Sequence, residues 1–275
     1  MTIASRRFIY WALFGLSNFA LATGIILAFP LFLGEVDMAV FEPFGGNARV
    51  LFLGLTFSVS ETAVVGLIVT CLLSAAGLLL VLSFFRKTVS SEVFFFSFWL
   101  LSIGFEVGRL LVFRLAAGGA SMPWIMLATR FVLASRYVGY LSLFAAGLYA
   151  SGFHNEKLGS VIFMIIAIGG ALAAAMPLNT GVYDSSFLLK AGYGGISASL
   201  FWLAGGMTAL NFLYAARQTR EKSYRVAALG VVAFVLGRRL MLMAYNPLAT
   251  LLGALLLAVG TWLFVSRLHA YYLWQ

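Results

Sequence analysis

Long apolar runs separated by short polar stretches organise this chain. Runs of eighteen or more apolar residues are long enough to cross a hydrocarbon layer of about 30 Å as helices. The pattern predicts helices over about 8–33, 61–85, 91–115, 123–152, 158–177, 188–216, 224–245 and 248–270. These eight spans form one transmembrane domain over 1–275, an all-α polytopic membrane helix bundle. A membrane β-barrel would show alternating segments of about ten residues instead. Local chemistry places the breaks. Pro30 bends the first helix near its end. Ser90, Ser91 and Glu92 suit a helix start, and Pro123 opens the fourth helix after the Gly118-Gly119 turn. Asn246-Pro247 separates the last two.

The long segment 34–60 does not fit the helical pattern. Gly45-Gly46-Asn47 lies inside it, and from Arg49 to Ser60 the positions Leu51, Leu53, Leu55, Phe57 and Val59 alternate with their neighbours. Extended runs around a glycine-rich turn predict a small β-hairpin outside the membrane. The second run could equally begin the next helix. Asn179 to Ser186 reads as a polar loop leading into the sixth helix, with Lys190 capping that helix at the interface.

Composition agrees with the pattern. Hydrophobic residues make up 63% of the chain, charged residues 10%, and the mean hydropathy is +1.02. A soluble domain has about 45–50% and about 25%. The net charge of +9 is no nucleic-acid footprint, because most of it falls in alternate loops. Arg6, Arg7, Arg86, Lys87, Lys157, Arg217, Arg220, Lys222, Arg225 and Arg267 fall on one side. The other side has Arg49 and Lys190 with the acids Glu35, Asp37, Glu42, Glu61 and Asp184. The positive-inside rule then puts both termini in the cytoplasm, in a bacterial inner (plasma) membrane. Arg6-Arg7 precedes about 25 apolar residues with no small-residue cleavage site, which reads as a retained helix rather than a signal peptide.

Several chemistries find no support. Cys71 is the one cysteine, so neither an intramolecular disulfide nor a cysteine metal cluster is expected. His154 and His269 fall at helix ends, which disfavours a haem held by two histidines. The last two predicted helices contain no lysine for a retinal Schiff base, and zinc-protease, nucleophile-elbow and Walker A motifs are missing. No cofactor and no metal are expected.

Charges inside the apolar spans carry the candidate chemistry. A charge at the bilayer centre costs about 2.5–3.5 kcal/mol or more, so it faces protein, water or another charge. Glu106 and Arg109 are three residues apart and share a helix face. With a rise of about 1.5 Å per residue, Arg109 and Glu106 lie roughly 9 and 13 Å below their helix end. Arg130, Arg238 and Arg239 come out about 10 Å deep and Arg136 about 20 Å. Glu106, Arg109, Arg130, Arg238 and Arg239 thus share one layer, four cations to one anion. Tyr137 and Tyr140 add hydroxyl donors near Arg130 and Arg136.

Arginine forks suit carboxylate and phosphate. The layer therefore reads as an anion cavity open to the outside, with Glu106 orienting one arginine and Arg136 at the floor. The competing reading is a structural ion-pair network, closed by acids of the 34–60 segment, with Arg114 snorkelling to headgroups. The glycines of the sixth helix, Gly192, Gly194-Gly195 and Gly205-Gly206, read as close-packing positions.

Three functions follow from the cavity. The first is a non-enzymatic receptor or sensor that binds a small anion or an anionic lipid headgroup and signals through a protein partner. An anion transporter or channel is second, weakened by sparse polar residues in the inner halves. A lipid-phosphate enzyme is third, weakened by the missing nucleophile and base.

Overall fold

The computed structural model describes residues 3–32, 49–52, 55–85, 90–153, 157–184, 186–242 and 246–273. The helices are α1 (Ile3–Phe32), α2 (Val59–Phe84), α3 (Ser91–Gly104), α4 (Gly108–Ala117), α5 (Met122–Ala150), α6 (Leu158–Ala175), α7 (Gly194–Thr219), α8 (Lys222–Leu242) and α9 (Pro247–Leu273). A 3-10 turn, Phe105–Val107, joins α3 to α4, so the two form one span. Among the described residues, seven spans are long and apolar enough to cross a membrane. The chain is therefore an all-α helix bundle of membrane type. The remaining long helix, α8, is less apolar because Lys222, Arg225, Arg238 and Arg239 lie on it.

The α3–α4 span is the most buried and occupies the centre, with α1, α2 and α5 packed on it. α9 packs on α2, α8 on α9, α7 on α8, and both α7 and α6 on α5. Glycine sets the closest approach. Gly230 and Gly237 on α8 meet Gly260 and Gly253 on α9, where the backbones nearly touch. A methyl group at 237 would stand 2.5 Å from the Leu257 amide nitrogen and 2.7 Å from the Gly253 carbonyl oxygen. Without a hydrophobic force between helices in lipid, small residues of this kind let backbones pack directly. The glycines expected to do this on the sixth helix mostly do not. A side chain at Gly194, Gly195 or Gly206 would meet open space, while Gly205 packs on Val235.

Hydroxyl groups tie the first three helices. Ser17 and Ser74 share a hydrogen bond of 2.9 Å, and Ser74 also donates to the Leu100 carbonyl. At the α3–α4 break the Gly108 amide bonds back to Phe105 and Glu106, leaving the Gly104 carbonyl free of its usual helical donor. The Cys71 thiol donates to it at 3.3 Å.

Two small hairpins flank the helices. β1 (Arg49–Phe52) pairs antiparallel with β2 (Leu55–Ser58), Val50 opposite Phe57. The turn expected at Gly45-Gly46-Asn47 lies outside the described residues. Both described strands come from the expected second strand. The second hairpin corrects the sequence reading. β3 (Leu178–Tyr183) pairs with β4 (Leu189–Ala191) where a polar loop and the first turn of the sixth helix were expected. The short apolar run Leu188-Leu189 fits strand and helix alike. Lys190 is therefore a strand residue, and α7 begins at Gly194.

Candidate functional site

Glu106 sits on the 3-10 turn and is almost wholly buried, at 1% exposure. Residues three apart approach eclipse in 3-10 geometry, which turns Glu106 and Arg109 to the same side. The carboxylate is nevertheless gripped from another helix. Arg136 on α5 donates from Nε to Oε1 at 2.8 Å and from Nη2 to Oε2 at 2.7 Å, a two-pronged pair. Arg238 on α8 brings Nη2 to 3.5 Å from Oε1. Such charge-assisted forks are the strong form of the interaction.

Arg238 is itself only 1% exposed. Its Nη1 donates to the Ser102 hydroxyl at 3.3 Å, and its Cζ lies 5.2 Å from the Tyr140 ring and 5.7 Å from the Trp99 ring. Its Nε and Nη2 make no hydrogen bond. Gly139 on α5 makes the room, since a side chain there would run into Ser102 and Arg238. Beside Arg238 the rings of Trp99, Phe96, Phe234 and Phe264 pack as a cluster with centroids 4.4 to 5.8 Å apart, Phe96 stacked on Trp99 and the other pairs tilted or edge-on.

Arg109 is buried and donates from Nε to the Ser186 carbonyl at 2.6 Å, so the β3–β4 connection lies over the cluster. That connection is strained and anchored at one residue. Phe187 has φ of +63°, a left-handed conformation that costs a bulky residue roughly 1–2 kcal/mol. Its ring is buried at 5.6 Å from Phe113, and Leu188 and Leu189 pack with Val112, Ile125 and Val132. Asp184, on the same connection, is exposed and close enough to act electrostatically on Arg136. Burial raises the pKa of the neighbouring Tyr183 phenol.

A cavity of about 10 Å³ remains between α2, α3, α8 and α9, bounded by Thr70, Glu106, Arg109, Arg238 and Leu257. That is close to one water molecule. Among the described residues, three guanidinium groups meet one carboxylate here.

The structure thus brings together Glu106, Arg109, Arg136, Tyr140 and Arg238. Arg136 is not a separate floor but the principal partner of Glu106. Arg130, Arg239 and Arg114 are half-buried, and among the described residues no hydrogen bond or ion pair joins them to the cluster. Tyr137 is buried with its hydroxyl unbonded. Sequence reasoning missed Ser102, Gly139, Trp99 and the Ser186 carbonyl, because none of them is charged. It also took Glu92 only as a helix-start residue. Glu92 is 4% exposed at the opposite end of α3, accepting from Ser90 at 2.6 Å and from Tyr272 at 2.9 Å.

No family model matches the chain, and no solved structure matches it. The chain is similar to an uncharacterized protein of Treponema pallidum (strain Nichols). The two are 21% identical over a 240-residue alignment, and the match covers 70% of each chain. The likeness supplies no activity, so function rests on the geometry.

Proposed function

We propose that this protein is a non-enzymatic membrane receptor module that binds a small anion, or the anionic head of a lipid, beside Arg238 and Arg109. The observation that carries this reading is Arg238, fully buried with no hydrogen bond at Nε and only a 3.5 Å ion pair from Nη2 to a carboxylate that Arg136 already holds in two-pronged fashion. A buried guanidinium N–H without a hydrogen bond is costly, and an incoming oxyanion would satisfy it. The cavity holds about one water, so a larger anion enters only when the β3–β4 connection lifts off Arg109. Binding and lifting are then one event, and the displaced hairpin and shifted helices signal to a protein partner. Loop charge supports an orientation with the hairpin end outside a bacterial inner membrane and both termini in the cytoplasm. The aromatic cluster of Trp99, Phe96 and Phe234 weighs against a continuous path for transport.

The test is thermal unfolding of detergent-purified protein against chloride, nitrate, acetate, phosphate and phosphatidylglycerol. A ligand at 100 times its Kd should add about 2.7 kcal/mol to stability. The expected result is a selective shift that persists in Arg130→Gln and is lost in Arg238→Gln. An equal shift in all three proteins, or none across the panel, rejects the reading. Phosphate and phosphatidylglycerol together separate a free anion from a lipid head.

A further inference from the structure

α1 and α2 pack side by side and share a groove of about 260 Å³ where α1 begins and α2 ends. Arg7, Tyr10 and Trp11 line it from α1, and Leu79, Leu82 and Ser83 from α2, with Phe85 just beyond. Arg7 stands three and four residues from Tyr10 and Trp11, which puts the three on one helix face. Trp11 is 50% and Leu79 is 52% exposed, so the groove opens sideways onto the apolar surface that faces lipid.

The chemistry of this groove is graded with depth. A rise of about 1.5 Å per residue sets Trp11 roughly 6 Å further in than Arg7, and Leu79 as far in from Ser83. Both walls therefore change together, from a charge or hydroxyl at the mouth to an indole and a leucine one turn deeper. A phospholipid has the same order, with ionised phosphate at the surface, then glycerol, then hydrocarbon. Arg7 is exposed, no acidic side chain lines the groove, and no ion pair engages Arg6 or Arg7 among the described residues. Arg6, one turn before Tyr10, has Nε and Nη1 buried without a hydrogen bond. Ser83 gives its hydroxyl proton to the Leu80 carbonyl at 2.8 Å, leaving its oxygen as an acceptor at the mouth. The cleft between α6 and α7, lined by leucines and aromatic rings, has no such cation.

We propose that the α1–α2 groove holds one anionic phospholipid, its phosphate on Arg7 and its acyl chains leaving past Trp11 and Leu79. Arginine is the cation whose fork matches phosphate, and tryptophan seats at the boundary between heads and chains. Loop charge supports the cytoplasmic leaflet at this end, the leaflet whose surface is negative. The volume lies below the usual 300–1,000 Å³ of a drug-sized pocket, so it takes a head and the start of its chains rather than a whole lipid. The groove is at the end of the bundle away from the β3–β4 connection, and its occupancy does not depend on the anion reading.

The experiment is native mass spectrometry of delipidated, detergent-purified protein titrated with dioleoylphosphatidylglycerol or with dioleoylphosphatidylcholine, which carry the same chains. The first phosphatidylglycerol should bind about tenfold tighter than the first phosphatidylcholine, the worth of one charge-assisted contact. Arg7→Gln should bring phosphatidylglycerol to the phosphatidylcholine level. Leu79→Trp, which narrows the groove from an exposed position, should weaken its binding, and Leu255→Trp on the lipid-facing side of α9 should leave it unchanged. All three replaced side chains are exposed, so the variants should melt with the parent. Equal binding of the two lipids, or phosphatidylglycerol binding equal in Arg7→Gln and the parent, overturns the proposal in favour of unselective lipid contact. Phosphatidylglycerol lost in Arg238→Gln but kept in Arg7→Gln overturns it as well and moves the lipid to the arginine cluster. A loss confined to Arg7→Gln, alongside a null result with the small anions, upholds the groove while rejecting the anion reading.

Discussion

Glu106 is the residue on which the cluster depends. Removing one partner of a buried ion pair leaves the other charge uncompensated, at a cost of about 3–5 kcal/mol. Glu106→Gln strands Arg136 and Arg238 together, so a loss of unfolding free energy of that order is expected in detergent. Arg136→Gln should cost less, because Arg238 remains 3.5 Å from the carboxylate. A Glu106→Gln protein as stable as the parent would show that the arginines are neutralised elsewhere. Sequence made the charges themselves visible, since ionised groups in apolar runs are rare. It did not show which arginine takes the carboxylate. Depth reckoned along ideal helices set Arg136 below Glu106, whereas the Arg136 side chain reaches it across the α3–α5 contact. Arg130 and Arg136 are six positions apart on α5, roughly 240° around its axis, so a shared helix does not mean a shared face.

At the scale of elements, hydrophobic runs fixed most of the helices to within a few residues, because burial in lipid needs length and continuity. The exceptions are instructive. The β3–β4 hairpin was read as loop and helix, since Leu188-Leu189-Lys190-Ala191 is too short for its period to decide. Its Ser186 carbonyl, as a backbone group, carries no signature in side-chain chemistry. Phe187→Ala should loosen this cover by removing the buried ring, giving faster anion association in stopped-flow measurements with little change at the opposite end. The close α8–α9 contact also escaped, because helical spacing alone does not say which glycines face a neighbour. Gly237→Ala must push two backbones apart, and overpacking of that kind typically costs about 1–3 kcal/mol. Gly206→Ala on α7, with open space beside it, should cost nothing measurable in the same melt.

For the whole molecule, loop charge predicts the hairpin end outside and the termini inside. Cys71 is buried, and in a Cys71→Ser background single cysteines report the sidedness directly. A membrane-impermeant maleimide should label Lys190→Cys in intact cells and Arg220→Cys only after permeabilisation. The reverse pattern would turn the bundle over and put the arginine cluster nearer the cytoplasm. α5 gives the bundle a mechanical property of its own. It carries Arg136 into the charge cluster, Tyr137 and Tyr140 to the cleft between α6 and α7, Val138 against Gly169 of α6, and Gly147 against α7. These attachments surround a single shaft. A turn of that shaft that withdraws Arg136 from Glu106 sweeps Tyr137 and Tyr140 through the same angle, as lobes on one cam.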